Sequence, residues 1–268
     1  MKRISSEENP TIKRFLKILK KPEKFAPSIK QPEGEVIAEG PRVVEMALQR
    51  GTKIGYTLVT NQFISDERNS NLMDRLLQRK VQVIVVEHKA LKRVADTVTP
   101  QGIVAICKVK ASTLADTEGD LVVVVDRVQD PGNMGSIIRV SDAVGVGSVV
   151  VIKGSVSPFN TKSIRASAGS VFNLKICFCT IEELLDFSKK RGYQLVGTDI
   201  GAELSVYDFN PAGAMMVAFG NETHGISEEI RKEAGALIKV PIYGKAESLN
   251  VGSSAAVVLY ELRRKLAG

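Results

Sequence analysis

Residues Leu121–Arg139 read LVVVVDRVQDPGNMGSIIR. Five apolar residues, four of them β-branched, open the stretch. A run of that kind is a strand buried on both faces, as in a parallel sheet. Pro131, Gly132 and Gly135 follow in a tight connection where backbone can approach a ligand. The pattern then predicts a helix over Gly135–Val144, whose N-terminal N–H groups favour anions. Asn133 and Arg139 would face the carboxyl edge of the sheet, where open α/β folds bind ligands. The same two residues also suit a plain helix cap and a surface arginine. GNMGSI lacks the GxGxxG spacing, which removes a dinucleotide-dependent oxidoreductase.

Working outward, strand runs recur at Ser148–Ile152, Gln194–Thr198, Ala214–Phe219 and Ile238–Val240. Helical patterns fill the gaps at Ile181–Arg191 and Ser227–Glu233, and a long helix runs from Val251 to about Leu266. This alternation predicts a doubly wound parallel α/β sheet. Upstream, Val109–Gly119 is small, polar and aperiodic, which reads as a linker. The expected domains are 1–108, a linker over 109–118, and 119–268.

The first domain reads as a smaller α/β unit. Ile12, Phe15, Leu16 and Leu19 fall at helical spacing, with Lys13, Arg14, Lys17, Lys20 and Lys21 on the other side. Residues 22–34 hold three prolines and read as a loop. Strands are expected at Glu35–Glu39, Ile54–Thr60, Val81–Val86 and Gly102–Lys108. Helices are expected from Pro41 to about Arg50, over Asn71–Arg79 and over Lys89–Ala95.

Charge is uneven along the 268 residues. Residues 1–118 carry 21 Lys+Arg against 14 Asp+Glu, and the remainder carries 16 of each. The whole net charge of +7 therefore sits in the first part. A localised basic excess points to a polyanion, most commonly nucleic acid. Cys107, Cys177 and Cys179 form no CxxC, and with only His88 and His224 no metal set is present. Free thiols suit a reducing compartment, and a cytoplasmic location is expected. No apolar run approaches a membrane span. The N-terminus lacks the apolar core of a secretory signal, and Glu7 and Glu8 argue against an organellar presequence.

Two more stretches carry chemistry. FGNETHGIS, Phe219–Ser227, places two glycines around four polar residues after a strand, a pattern typical of ligand loops. His224 lies within it, but nothing in the sequence sets it beside a nucleophile. PIYGKAESLNVGSSAAVVLYEL, Pro241–Leu262, leads from a strand end through a loop into a helix of small residues. Something packs very close to that helix, either another helix or a ligand at its N-terminus.

In this order the stretches resemble the SpoU (TrmH-type) family of RNA 2′-O-ribose methyltransferases, of the SPOUT superfamily. NMGSIIR, GNETHGIS and PIYGKAESLNVGSSAAVVLYE are similar to its three motifs. NPTIKRFLKILK, AEGPRVVEMAL and TPQGIVAI more loosely resemble the ribosomal-protein-like substrate-binding domain that many members carry. Many members have glycine where Thr223 stands, and the proline-rich loop is also a departure. The resemblance implies a small N-terminal α/β RNA-binding domain and a C-terminal parallel-sheet domain with a deep trefoil knot. It implies S-adenosylmethionine as cofactor, no metal, and a homodimer with active sites at the subunit interface. It implies catalytic roles for Arg139, Asn133, Glu222, Ser248 and Asn250. It gives the cofactor to Thr198, Gly220, Asn221, Glu222, Gly225, Ile242, Ser248, Leu249 and Asn250. RNA contacts fall to Lys13, Arg14, Lys17, Lys20, Lys21, Arg42 and Arg139. Ribosomal RNA is the expected substrate and transfer RNA the alternative. A non-catalytic RNA-binding protein is the competing class, disfavoured because every expected polar position is filled.

Overall fold

The structure is a computed structural model that describes residues 1–4 and 8–267. Glu7, used above against a presequence, lies outside the described residues. A strand absent from the sequence reading, β1 (Lys2–Ile4), comes first. Helix α1 (Pro10–Lys20) starts where Asn9 accepts a hydrogen bond from the Thr11 N–H at 2.9 Å. Pro10 sits in its first turn, where a missing N–H removes no helical bond. Then follow β2 (Glu33–Glu39), α2 (Pro41–Gln49), β3 (Lys53–Val59), α3 (Asn61–Ser65), α4 (Ser70–Gln78), β4 (Gln82–Val86), α5 (His88–Val94) and β5 (Ile103–Lys110). Their sheet has the order β1-β4-β3-β5-β2. The first three strands are parallel, and β5 runs antiparallel to both neighbours. Ile12, Phe15 and Ile18 of α1 are buried in a core with Ile37, Leu58, Ile84 and Leu91.

The expected linker is ordered. Val109 and Lys110 finish β5, and Leu114–Asp116 forms a single 3-10 turn closed by a Thr113–Asp116 capping box. The chain continues through β6 (Leu121–Val125), α6 (Pro131–Ala143), β7 (Ser148–Ile152), α7 (Thr161–Ala166), β8 (Lys175–Cys179), α8 (Ile181–Arg191) and β9 (Gln194–Thr198). It ends with β10 (Leu204–Ser205), β11 (Met215–Phe219), α9 (Glu228–Glu233), β12 (Ala236–Lys239) and α10 (Val251–Ala267). The second sheet, β10-β12-β9-β11-β6-β7-β8, is parallel throughout. All five residues of β6 are buried, as a central parallel strand requires.

The division of the chain differs from the linear domains expected. One unit is Met1–Lys110 together with Phe159–Asn173; the other is Ala111–Pro158 with Leu174–Gly268. The inserted segment has its own bonds inside the first unit. Arg165 Nη1 donates to Asp96 Oδ2 at 2.8 Å, and Arg50 Nε donates to Asn173 Oδ1 at 2.6 Å. The buried carboxylate of Glu39 accepts the Asp96 N–H at 2.7 Å and lies 4.0 Å from Arg165. That cation offsets part of the cost of burying an acid.

All three cysteines are buried and free. Burial pushes the Cys107 and Cys179 thiols up to about 12. Iodoacetamide at pH 8 is therefore expected to leave the native protein unlabelled and to label all three in denaturant. Native labelling at a free-thiol rate would contradict this packing.

Candidate active site

Helix α6 begins four residues before the expected Gly135. Asp130, not Asn133, is its cap, with Oδ1 accepting from the Asn133 N–H at 2.8 Å. Asn133 thus sits in the first turn, is buried, and has its side chain free for other partners. Its Nδ2 donates to Glu222 Oε1 at 2.8 Å, and its Oδ1 accepts from Asn250 Nδ2 at 2.7 Å. Asn250 Oδ1 in turn accepts the Gly252 N–H at 2.9 Å, at the start of α10. One hydrogen-bonded line therefore joins the three stretches singled out in the sequence. The Glu222 carboxylate also accepts from the backbone N–H of Gln129 at 3.2 Å and of Asp130 at 3.1 Å. Partial burial pushes its pKa up. Hydrogen bonds from Asn133 and from the backbone outweigh this and hold it below the ordinary carboxylate value.

The loop after β11 closes on itself. Asn221 and Gly225 exchange both backbone hydrogen bonds at 2.9 Å, with Gly225 at φ +69°. Asn221 Oδ1 accepts the N–H groups of Thr223 and His224 at 3.0 and 3.1 Å. Thr223 keeps a negative φ, so the position has no need of the glycine common in the family. His224 lines the cavity and its Nδ1 lies 3.2 Å from Asn221 Oδ1. At the loop's end the Ser227 N–H donates to Asp126 Oδ2 at 2.5 Å. Asp126 is fully buried at the end of β6 and anchors this loop; sequence reasoning missed it. The signal was an acid directly after five apolar strand residues.

A cavity of about 590 Å³ opens at the carboxyl ends of β9, β11 and β12. Thr198, Gly220, Asn221, Glu222, Gly225, Ile242, Ser248, Leu249 and Asn250 all line it. So do Asp199 and Arg231, an ion pair that the sequence did not reveal. Ile238, Val240, Ile242, Leu249 and Val258 give it an apolar side. The size suits a nucleoside-sized ligand. A lowered-pKa carboxylate on one wall suits a cationic sulfonium, so the residues present fit S-adenosylmethionine. Asn133 lies just behind this lining.

Arg139 is elsewhere. It is exposed, does not line the cavity, and its side chain makes no hydrogen bond or ion pair among the described residues. Six residues along a helix is about 9 Å and two-thirds of a turn beyond whole turns, so Arg139 and Asn133 leave α6 on different sides. The small residues of α10 are explained by α6. A Cβ on Gly252 would lie 2.7 Å from Ser136 Cβ.

The expected RNA-contact residues of the first unit fall in two groups along the chain, on α1 and at the start of α2. Arg14 lies against Glu35 near the start of β2, whereas Arg42 follows its end. Lys13 and Arg14 are already ion-paired with Glu8 and Glu35, and Lys17, Lys20, Lys21 and Arg42 are exposed.

Comparison with known proteins agrees with this geometry. Residues 120–260 match the model of the SpoU rRNA Methylase family, and residues 9–105 match the MRM3-like substrate binding domain. The 23S rRNA (guanosine(2553)-2'-O)-methyltransferase RlmP of Bacillus subtilis is 30% identical over 263 residues, covering 98% of this chain and 100% of that one. An AdoMet-bound rRNA methyltransferase from Sinorhizobium meliloti superposes with a TM-score of 0.83 at 29% identity, covering 99% of this chain and 98% of that one. The SpoU methyltransferase AviRb of Streptomyces viridochromogenes, in complex with AdoMet, gives a TM-score of 0.81 at 26% identity, covering 97% and 100%. Motif stretches, fold and relatives converge, and the chain belongs to the SpoU rRNA methylase family.

Proposed function

We propose that the protein transfers a methyl group from S-adenosylmethionine to a ribose 2′-hydroxyl of ribosomal RNA. The observation that carries this reading is the hydrogen-bonded line Glu222–Asn133–Asn250 beside the cavity. The names of the relatives point to 23S rRNA as substrate. When bound, S-adenosylmethionine supplies a methyl group already activated by its sulfonium charge. Backbone groups at Gly220, Ile242 and Leu249 hold the adenosine, with Thr198, Asn221 and Gly225 shaping its pocket. Glu222 stays ionised at neutral pH and favours a cation beside it. Asn133, Ser248 and Asn250 orient the nucleotide and cofactor for in-line attack.

Arg139 holds an RNA phosphate and stabilises charge developing on the 2′-oxygen. A guanidinium donates hydrogen bonds and has no acceptor, so the hydroxyl proton leaves to a phosphate oxygen or to solvent, not to Arg139. Since Arg139 lines no part of its own chain's cavity, a homodimer in which it completes the neighbouring site fits best. The first unit supplies RNA affinity through Lys17, Lys20, Lys21 and Arg42, with Lys13 and Arg14 partly neutralised. The knot implied by the resemblance and a cytoplasmic location belong to the same proposal; no helix among the described residues is long and apolar enough to cross a membrane.

The test offers labelled S-adenosylmethionine with unmodified transcripts of 23S rRNA, 16S rRNA and transfer RNA. Label at a 2′-oxygen of 23S rRNA is expected. Label in transfer RNA alone would replace the substrate. No calorimetric heat with S-adenosylmethionine would overturn the enzyme in favour of a non-catalytic RNA-binding protein.

A further inference from the structure

Tyr243 is 89% exposed, more than any other large hydrophobic side chain among the described residues. It makes no hydrogen bond or ring contact among those residues, so folding gives no account of an aromatic there. Its position does. Ile242 before it and Glu247, Ser248 and Leu249 after it line the cavity, so the loop is a cavity wall. Residues 243–246 are the part of that wall absent from the lining, and all four are exposed. Tyr243 therefore stands at the rim of the cavity. Lys245 is two residues away on the same exposed stretch.

We propose that Tyr243 is a positioning residue for the RNA, a ring on which a base of the substrate stacks while its ribose is presented to the cavity. The proposal rests on the methyltransferase reading. Reaching a ribose in structured RNA pulls a nucleotide out of its stack, and an aromatic face replaces part of the stacking that is lost. A phenol is well suited to this role, because the ring offers a π-face to any base and its hydroxyl tolerates water when RNA is absent. Lys245 would meet an adjoining phosphate. The competing occupant of so exposed a ring is a second copy of the chain.

The chain contains no tryptophan, so Tyr243→Trp installs a single indole reporter. Titrating this variant with an unmodified bacterial 23S rRNA transcript is expected to quench its fluorescence, in step with retained methyl transfer. In Tyr243→Ala, the KM for that RNA is expected to rise about 5- to 100-fold, the range for losing one stacked base. Affinity for S-adenosylmethionine should stay within about twofold, and light scattering should show an unchanged mass. An unchanged KM, or an indole blind to RNA, would overturn the proposal. A fall in mass, with activity restored at high protein concentration, would overturn it in favour of a subunit contact. Wild-type protein that binds no S-adenosylmethionine would fail the methyltransferase reading itself, a separate result.

Discussion

Arg139→Ala is expected to slow single-turnover methyl transfer by about 10²-fold or more, the range for removing one transition-state donor. The side chain is exposed and has no partner among the described residues, so its removal costs the fold almost nothing. Lysine at this position is expected to recover only a small part. Its ammonium is a point charge and cannot present the planar fork that takes two phosphate oxygens together. Calorimetric affinity for S-adenosylmethionine should hardly change, because the cavity is built without Arg139. Near-normal turnover in the alanine variant would remove the catalytic role. Normal turnover at saturating RNA, with more RNA needed to reach it, would make Arg139 a binding residue only.

Gly220→Ala is expected to be as damaging for the opposite reason, through the fold of the site. A Cβ there would lie 2.1 Å from the Gly225 carbonyl carbon and 2.2 Å from the Ile226 nitrogen. Both are backbone atoms and cannot swing aside. The loop must open, breaking the paired Asn221–Gly225 hydrogen bonds and pulling Ser227 away from Asp126. Losing two or three such bonds costs about 2–4 kcal/mol, or on the order of 10²-fold in S-adenosylmethionine affinity. Calorimetry and thermal melting read the two effects. Gly244→Ala is the stability control, since nothing lies within 4 Å of a Cβ added there. Equal melting of the two variants would contradict the close approach at Gly220.

The strands of the parallel sheet are legible because burial on both faces writes a continuous apolar word, as in Leu121–Val125 and Met215–Phe219. β8 is hard to read because its alternation, KICFC, is broken by two cysteines and an aromatic. β10 has two residues and no pattern to read. The start of α6 reads four residues late because Pro131 and Gly132 look like a turn, yet Asp130 caps a helix that begins on that very proline. The cavity residues can be gathered from sequence only by family resemblance. Asn133 lies 89 positions from Glu222 and 117 from Asn250, and no periodicity spans such distances. Asp199 and Arg231 have no motif to advertise them, and the structure alone brings them together.

Residues Phe159–Asn173 belong with Met1–Lys110, and 48 residues of the other unit, Ala111–Pro158, stand between them in the chain. On the ribosome this order becomes a delay. At about 5–20 residues per second, the first 110 residues wait roughly 3–11 s before their missing helix is made. During that interval Glu39 is without Arg165, and β2 and α2 lack the helix and turn that pack on them. The nascent first unit is thus incomplete for a defined time, which slow codons between 111 and 158 would lengthen and fast ones would shorten.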